Sequence, residues 1–103
     1  MAPKIHSPAA AKIGTHIRTV RLKLGISQED LGELSEINWT SIGKIERGVS
    51  SPNVETLVRL AAALSVEPGT LLVGVTPDDY GDRAHRLTAR DLIRARAAEQ
   101  TAR

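Results

Sequence analysis

Residues 25–48 read GISQEDLGELSEINWTSIGKIERG, and this stretch decides how the chain folds. Ser27-Gln28-Glu29-Asp30 places a hydroxyl ahead of an acid three residues on, the pattern of a capping box that opens a helix. Leu31 and Leu34 supply its buried side, and the helix ends near Ser35. Asn38 then caps a second short helix, because its carboxamide oxygen accepts from the free backbone N–H groups of the following turn. Ile42 and Ile45 repeat at helical spacing before Gly48 stops it, so this helix runs from about Trp39 to Arg47. At 100° per residue, Ile42, Ile45, Glu46 and Val49 share one side, and Thr40, Gly43, Lys44 and Arg47 share the other. Trp39 sits on the flank near the N-terminal end.

The flanking sequence extends the helical pattern in both directions. Ser7-Pro8 is an N-cap with proline in the first turn, and Ile13, Ile17, Val20 and Leu24 recur until Gly25. Pro52-Asn53 breaks and recaps the chain, and Val54, Leu57, Leu60, Ala61 and Leu64 form an i, i+3, i+4 stripe. Pro68 opens a short fifth helix carrying Leu71 and Leu72. Gly74, Pro77, Asp78, Asp79, Gly81 and Asp82 read as a linker. Thr88 with Asp91 repeats the capping pattern ahead of an Ala- and Arg-rich run with little apolar surface, a last helix expected to fray unless a partner packs on it. The organisation is an N-terminal arm over 1–9, a folded domain over 10–75, and a linker with an Arg-rich tail over 76–103. Phe is absent, Trp39 and Tyr80 are the only aromatics, and no segment alternates as a strand would, so the fold class is all-α.

A chain of 103 residues is one domain with tails. It has no cysteine, which excludes a disulfide scaffold, thiol catalysis and Cys-ligated metals. No apolar run approaches the roughly 20 residues of a membrane helix, and the N-terminus lacks the long hydrophobic region of a secretory signal, so a cytoplasmic location is expected. Net charge is only +2, yet residues 1–24 hold five bases and no acid, and residues 25–68 hold three bases and seven acids. Arg83, Arg86, Arg90 and Arg94 are spaced three or four apart and share a helical face, either a solvated surface or a set of phosphate contacts.

Two short helices joined by Glu36-Ile37-Asn38 inside a small bundle is the plan of a helix-turn-helix, whose second helix enters the major groove. The free face of that helix is polar, basic and small: Lys44 can donate to guanine O6 and N7, and Thr40 can hydrogen-bond or touch a thymine methyl. Gly43 there would let the backbone approach the groove. Periodicity alone equally describes an ordinary exposed face. Two misplaced charges are more specific. Arg21 lies on the inward row of Ile13 and Ile17, and Glu46 lies on the inward side of its helix. An unpaired buried charge costs several kcal/mol, so the two either pair across the core or snorkel to its rim.

Ile13-Gly14, Ile17-Arg18, Arg21, Gly25 to Leu31, Ile42, Ile45-Glu46-Arg47-Gly48, Pro52 and Leu57 together resemble the Xre/Cro-type helix-turn-helix family of phage and bacterial repressors, over about residues 10–73. The resemblance implies a five-helix, lambda-repressor-like domain that binds a palindromic operator in double-stranded DNA as a homodimer. It places Trp39, Thr40, Gly43 and Lys44 at base-facing positions and Arg18, Gln28, Asn38, Arg47, Ser50 and Ser51 at phosphates. It makes Arg21 and Glu46 a structural ion pair and gives Leu71, Leu72, Val73 and Val75 either to the core or to a dimer seam. Three departures stand out: Gly32 where the family has Ala, Glu36 where a turn Gly is usual and positive φ follows, and Trp39, which either faces DNA or packs on a neighbour.

His6, His16 and His85 share no ligand spacing, and Asp78, Asp79 and Asp82 lack the spacing of a calcium loop and read as a solvated turn. No metal, cofactor or nucleophile–base pair is expected, hence no catalysis. The competing class is an antitoxin-type interaction module, whose tail over 83–103 wraps a toxin partner.

Overall fold

The computed structural model describes residues 4–81 and 87–101. Among them lie five α-helices and two short 3-10 turns, with no strand: α1 (Pro8–Leu24), α2 (Gln28–Ser35), α3 (Trp39–Glu46), α4 (Val54–Ala63) and α5 (Ala89–Thr101), with the turns at Pro68–Leu72 and Pro77–Tyr80. The architecture is all-α, as the sequence predicts.

Each helix of the bundle begins where a side chain satisfies an otherwise orphaned N–H. Ser7 accepts from Ala10 ahead of Pro8, and Asn53 accepts from Thr56. At α2 the capping box closes both ways, Ser27 Oγ accepting from the Asp30 amide and Asp30 Oδ2 from the Ser27 amide, each at 2.9 Å. Gly25 ends α1 at φ +71°, the left-handed geometry that glycine adopts without penalty. Glu36 ends α2 at φ +58°, the positive φ expected of that turn position, here carried by a residue with a Cβ.

The core is aliphatic. Ile13 and Ile17 of α1, Leu31 of α2, Ile42 and Ile45 of α3, Leu57, Leu60, Ala61 and Leu64 on and after α4, and Leu71 form one buried cluster. Helices α1 and α3 cross in close contact at Gly14. A Cβ there would collide with the Ile45 carbonyl oxygen and lie 2.7 Å from that of Glu46. Only glycine lets α3 seat this deeply against α1, and that seat fixes the direction of the helix.

The structure adds detail to four of these expectations. Ala9, assigned to the arm, is fully buried in the first turn of α1, and the His6 amide donates to the Gly48 carbonyl at 2.8 Å, so the domain begins before residue 10. The short fifth helix opens at Pro68 as expected and is of the 3-10 type, Pro68–Leu72, with no side-chain cap; five residues holding a proline and a glycine cannot complete an α-helical ladder. The linker over 74–82 is instead a strap. Thr76 and Asp79 cap the turn Pro77–Tyr80, and buried Asp79 receives Lys12 Nζ at 2.9 Å. Lys12 also donates to the Gly74 carbonyl at 2.9 Å, and His16 Nε2 donates to that of Val73 at 2.7 Å. Residues 74–81 are therefore tied to α1, and Asp79 belongs to an ion pair rather than to a solvated turn. Finally, Leu71 is fully buried in the chain's own core, which removes it from any dimer seam, whereas Leu72 and Val73 are exposed. Val75 is partly buried against the core.

Helix α5 forms where the Thr88–Asp91 pattern predicts it, with Asp91 Oδ2 accepting from the Thr88 amide at 3.0 Å. None of its residues is buried. Asp82, Arg83, His85 and Arg86 lie outside the described residues.

Candidate nucleic-acid interface

The site begins at the back of α3. Arg21 Nε donates to Glu46 Oε2 at 2.6 Å and Arg21 Nη2 to Oε1 at 2.9 Å, a bidentate pair in which both residues are 8% exposed. Arg21 Nη1 donates to the Ile26 carbonyl at 2.9 Å. The hydrogen bond to Glu46 raises the Arg21 pKa above its ordinary value, outweighing the opposing effect of burial, so the guanidinium stays charged. The pair ties α3 to α1 and to the loop entering α2. Gln28 joins it, its Nε2 donating to Glu46 Oε1 at 3.1 Å. Among the described residues no buried side-chain nitrogen or oxygen lacks a partner.

With its back fixed, α3 presents Trp39, Thr40, Ser41, Lys44 and Arg47 outward, all exposed. Asn38 Oδ1 accepts from the Thr40 amide at 3.0 Å and from Thr40 Oγ1 at 2.7 Å. The Thr40 hydroxyl proton is thus committed, which leaves its methyl and an oxygen lone pair facing out. Among the described residues Lys44 forms no salt bridge or side-chain hydrogen bond. Gly43 differs from the expectation: it is buried, and an added Cβ would lie 3.0 Å from Arg47 Nη1 and 3.4 Å from Gln28 Oε1. The Arg47 guanidinium folds back over it, so Gly43 makes room for Arg47 and Gln28 instead of standing on the open face.

Trp39 is half exposed and packs by its Cβ side against Gly32 of α2. A Cβ on Gly32 would lie 2.8 Å from the Ile37 carbonyl oxygen and 3.2 Å from Trp39 Cβ. The glycine that departs from the family pattern therefore lets this turn and the start of α3 at Trp39 lie close to α2. Arg18, Asn38 and Ser51 are exposed, and Ser50 is partly buried at the turn after α3. The Gln28 side-chain amide is engaged with Glu46, so an anion at the start of α2 would meet the Gln28 backbone N–H and the second amide hydrogen. Sequence reasoning missed this Gln28–Glu46 bond and the Lys12–Asp79 strap, since neither pairing leaves a periodic signal.

Residues 17–71, more than half of the chain, match the helix-turn-helix family. A helix-turn-helix transcriptional regulator of Haemophilus influenzae is 46% identical over 46 residues, covering 45% of this chain and 47% of that protein. The repressor protein C2 of Salmonella phage P22 is 39% identical over 62 residues, 60% of this chain but 29% of the repressor. The chain thus spans half or less of the length of these two relatives. Among solved structures, the restriction-modification controller protein C.AhdI of Aeromonas hydrophila superposes with a TM-score of 0.59 at 35% identity, over 60% of this chain and 94% of that one. The P22 c2 repressor in complex with a synthetic operator superposes with a TM-score of 0.57 at 39% identity, over the same shares of the two chains. The matched residues hold α2, the turn, α3 and the Arg21–Glu46 pair that fixes them, and the chain belongs to the helix-turn-helix family of the Xre/Cro type.

Proposed function

We propose that the chain is a non-catalytic, sequence-specific regulator of transcription, a repressor that binds double-stranded DNA with α3 in the major groove. The observation that carries the reading is the division of α3: its back is locked by the buried Arg21–Glu46 pair, and its front offers Thr40 and Lys44 unobstructed. Lys44 donates to guanine O6 and N7, Thr40 offers its methyl to thymine or accepts from an exocyclic amine, and Trp39 reaches thymine methyls or sugar. Arg18, Arg47, Asn38, Ser50, Ser51 and the start of α2 at Gln28 fix the register on phosphates, where contacts carry no direct sequence information. A homodimer reading a palindrome follows from the family resemblance, with exposed Leu72 and Val73 as its apolar contact. Such work belongs in the cytoplasm.

Selection of bound duplexes from a random library at about 0.15 M salt tests this, because weak electrostatic binding is largely suppressed there. Enrichment of a palindrome with half-sites about 34–36 Å apart is the expected result. Binding without enrichment removes the reading role of α3. A second reading, an antitoxin whose tail binds a toxin, is favoured by one observation, that no residue of α5 is buried. It requires a stoichiometric small protein to copurify with the chain.

A further inference from the structure

Helix α3 is held unequally along its length. Its C-terminal end is pinned to α1 twice, by the bidentate Arg21–Glu46 pair and by the seat of the Ile45 and Glu46 carbonyls against Gly14. Its N-terminal end follows the turn over 36–38, and that turn closes on Gly32. The Gly32 carbonyl accepts from the Ile37 amide at 3.0 Å, which folds the turn back over α2, and Glu36 completes it at φ +58°. The chain then lies directly over the place a side chain would fill. A Cβ on Gly32 would stand 2.8 Å from the Ile37 carbonyl oxygen, 3.2 Å from Trp39 Cβ and 3.3 Å from Trp39 Cα. Two of these atoms are main chain and the third is a Cβ, so no rotamer change relieves the contact. Alanine, which the family resemblance would put here, does not fit beneath a turn closed this far.

The unequal hold makes α3 a lever. A Cβ on Gly32 needs about 0.6 Å more from the Ile37 oxygen to reach ordinary contact near 3.4 Å, and the end of α3 that gives is the one at Trp39, away from the pins on α1. At about 1.5 Å per residue, Trp39 stands about 10 Å from the pin at Glu46, Thr40 about 9 Å and Lys44 about 3 Å. A shift of about 0.6 Å at Trp39 is therefore about 0.5 Å at Thr40 and under about 0.2 Å at Lys44. A hydrogen bond holds over a window about 0.5 Å wide, so this tilt carries a polar contact at Thr40 across its whole range and keeps one at Lys44 inside it. Asn38 transmits the movement, because its Oδ1 accepts from both the Thr40 amide and the Thr40 hydroxyl, and the hydroxyl turns with the cap. We propose that Gly32 is a positioning residue that sets base preference at the N-terminal end of α3, through Trp39 and Thr40, while preference at Lys44 is set by the Arg21–Glu46 pin. The role rests on the reading of α3 as the base-contacting helix. Gly32 itself touches no base and acts through the turn.

Trp39 is the only tryptophan of the chain, so its fluorescence reports the head of α3 without a label. Full-length Gly32→Ala is compared with the parent in two measurements: acrylamide quenching of Trp39 in the free protein, and affinity for the selected duplex and each of its single-base variants at about 0.15 M salt. The base pairs facing Trp39, Thr40 and Lys44 are assigned from the profiles of their own alanine variants. Gly32→Ala should change the quenching constant while circular dichroism shows the chain folded. Discrimination should fall about three- to tenfold at the base pairs facing Trp39 and Thr40, part of the roughly 5- to 150-fold that one good base contact supplies. At the Lys44 base pair it should stay within about twofold of the parent. Where alanine alone unfolds the domain, the same comparison is made in the Glu36→Gly chain, whose turn opens more easily. An equal loss at every base pair overturns the proposal, since a general disturbance of the fold acts that way, and so does a profile identical to the parent's. An altered profile with unchanged quenching overturns the tilt as its cause. A parent without any base preference sinks the proposed function and this role with it, a result distinct from a parent that discriminates and a Gly32→Ala chain that discriminates identically.

Discussion

Substituting Gly14 by alanine sets two physical effects of opposite sign against each other. Alanine is the better helix former, by about 1 kcal/mol in a helix interior, and Gly14 lies inside α1, more than a turn from either end. On propensity alone the variant should be more stable. The structure demands the reverse. The new methyl would meet the Ile45 and Glu46 carbonyl oxygens, the latter at 2.7 Å, where ordinary contact begins near 3.4 Å. Both obstacles are backbone, so no rotamer change relieves them and α3 must withdraw by roughly 1 Å, a gap that forfeits about a quarter to a half of each contact it opens. Overpacking of a tight core costs about 1–3 kcal/mol, and a clash without side-chain relief belongs at the top of that range. After the propensity gain, a net loss of about 2 kcal/mol remains, or a fall in Tm of roughly 8–16 °C for a domain this size. Thermal unfolding followed by circular dichroism measures it. A Tm equal to or above that of the parent would refute the close α1–α3 crossing.

Three further outcomes follow. Arg21→Ala should cost about 3–5 kcal/mol, because it strands the buried Glu46 carboxylate; a urea midpoint unchanged from the parent would contradict the buried pair. Glu36→Gly should stabilise by about 0.5–1 kcal/mol, since it frees a non-glycine residue from φ +58°, and a destabilised variant would show that the Glu36 side chain contributes more than its strain costs. The hydrogen bond from Lys12 and the Thr76 amide hold the Asp79 pKa below the ordinary aspartate value. A depressed folded-state pKa gives stability that is complete above the unfolded value of about 3.9 and lost as pH falls through the folded one. Asp79→Asn should therefore be less stable than the parent at pH 7, with the difference closing below about pH 3.9. An equal difference at pH 7 and pH 2.5 would reject the ion pair.

Local chemistry made most of the bundle readable in advance. Ser7, Ser27, Asn38 and Asn53 each sit where a cap is needed, and the 3.6-residue recurrence of Ile and Leu marks most of the core, but Leu24, Leu34 and Val54, read onto the same stripes, are exposed because they fall at helix ends or on the flank turned from the bundle. Arg21 and Glu46 betrayed themselves as charges on apolar rows. What stayed hidden depends on contacts between distant segments. Gly74, Pro77 and Gly81 mark a break in helix equally well in a linker and in a tight strap, and only the Lys12–Asp79 pair, 67 residues apart, distinguishes the two. Leu71 sits in a five-residue turn too short to show a period, so its burial was undecidable from spacing. A helical wheel placed Gly43 on the open side, but it cannot register that a long neighbour, Arg47, folds back across the backbone. Nor does it reveal that Gly14 is the crossing point of α1 and α3, since a glycine inside a helix has many causes.

On the proposed function, the outward face of α3 reads bases while its surroundings contact only the backbone. The measurement that tests it most directly is the affinity of the parent and of Lys44→Ala for the selected duplex and for each of its single-base variants, at fixed salt. Lys44→Ala should lose about 1–3 kcal/mol on the selected duplex and become indifferent to the base at one position in each half-site, while Arg18→Ala weakens all duplexes alike. Uniform losses for Lys44→Ala across every duplex would place Lys44 on phosphate and contradict the account.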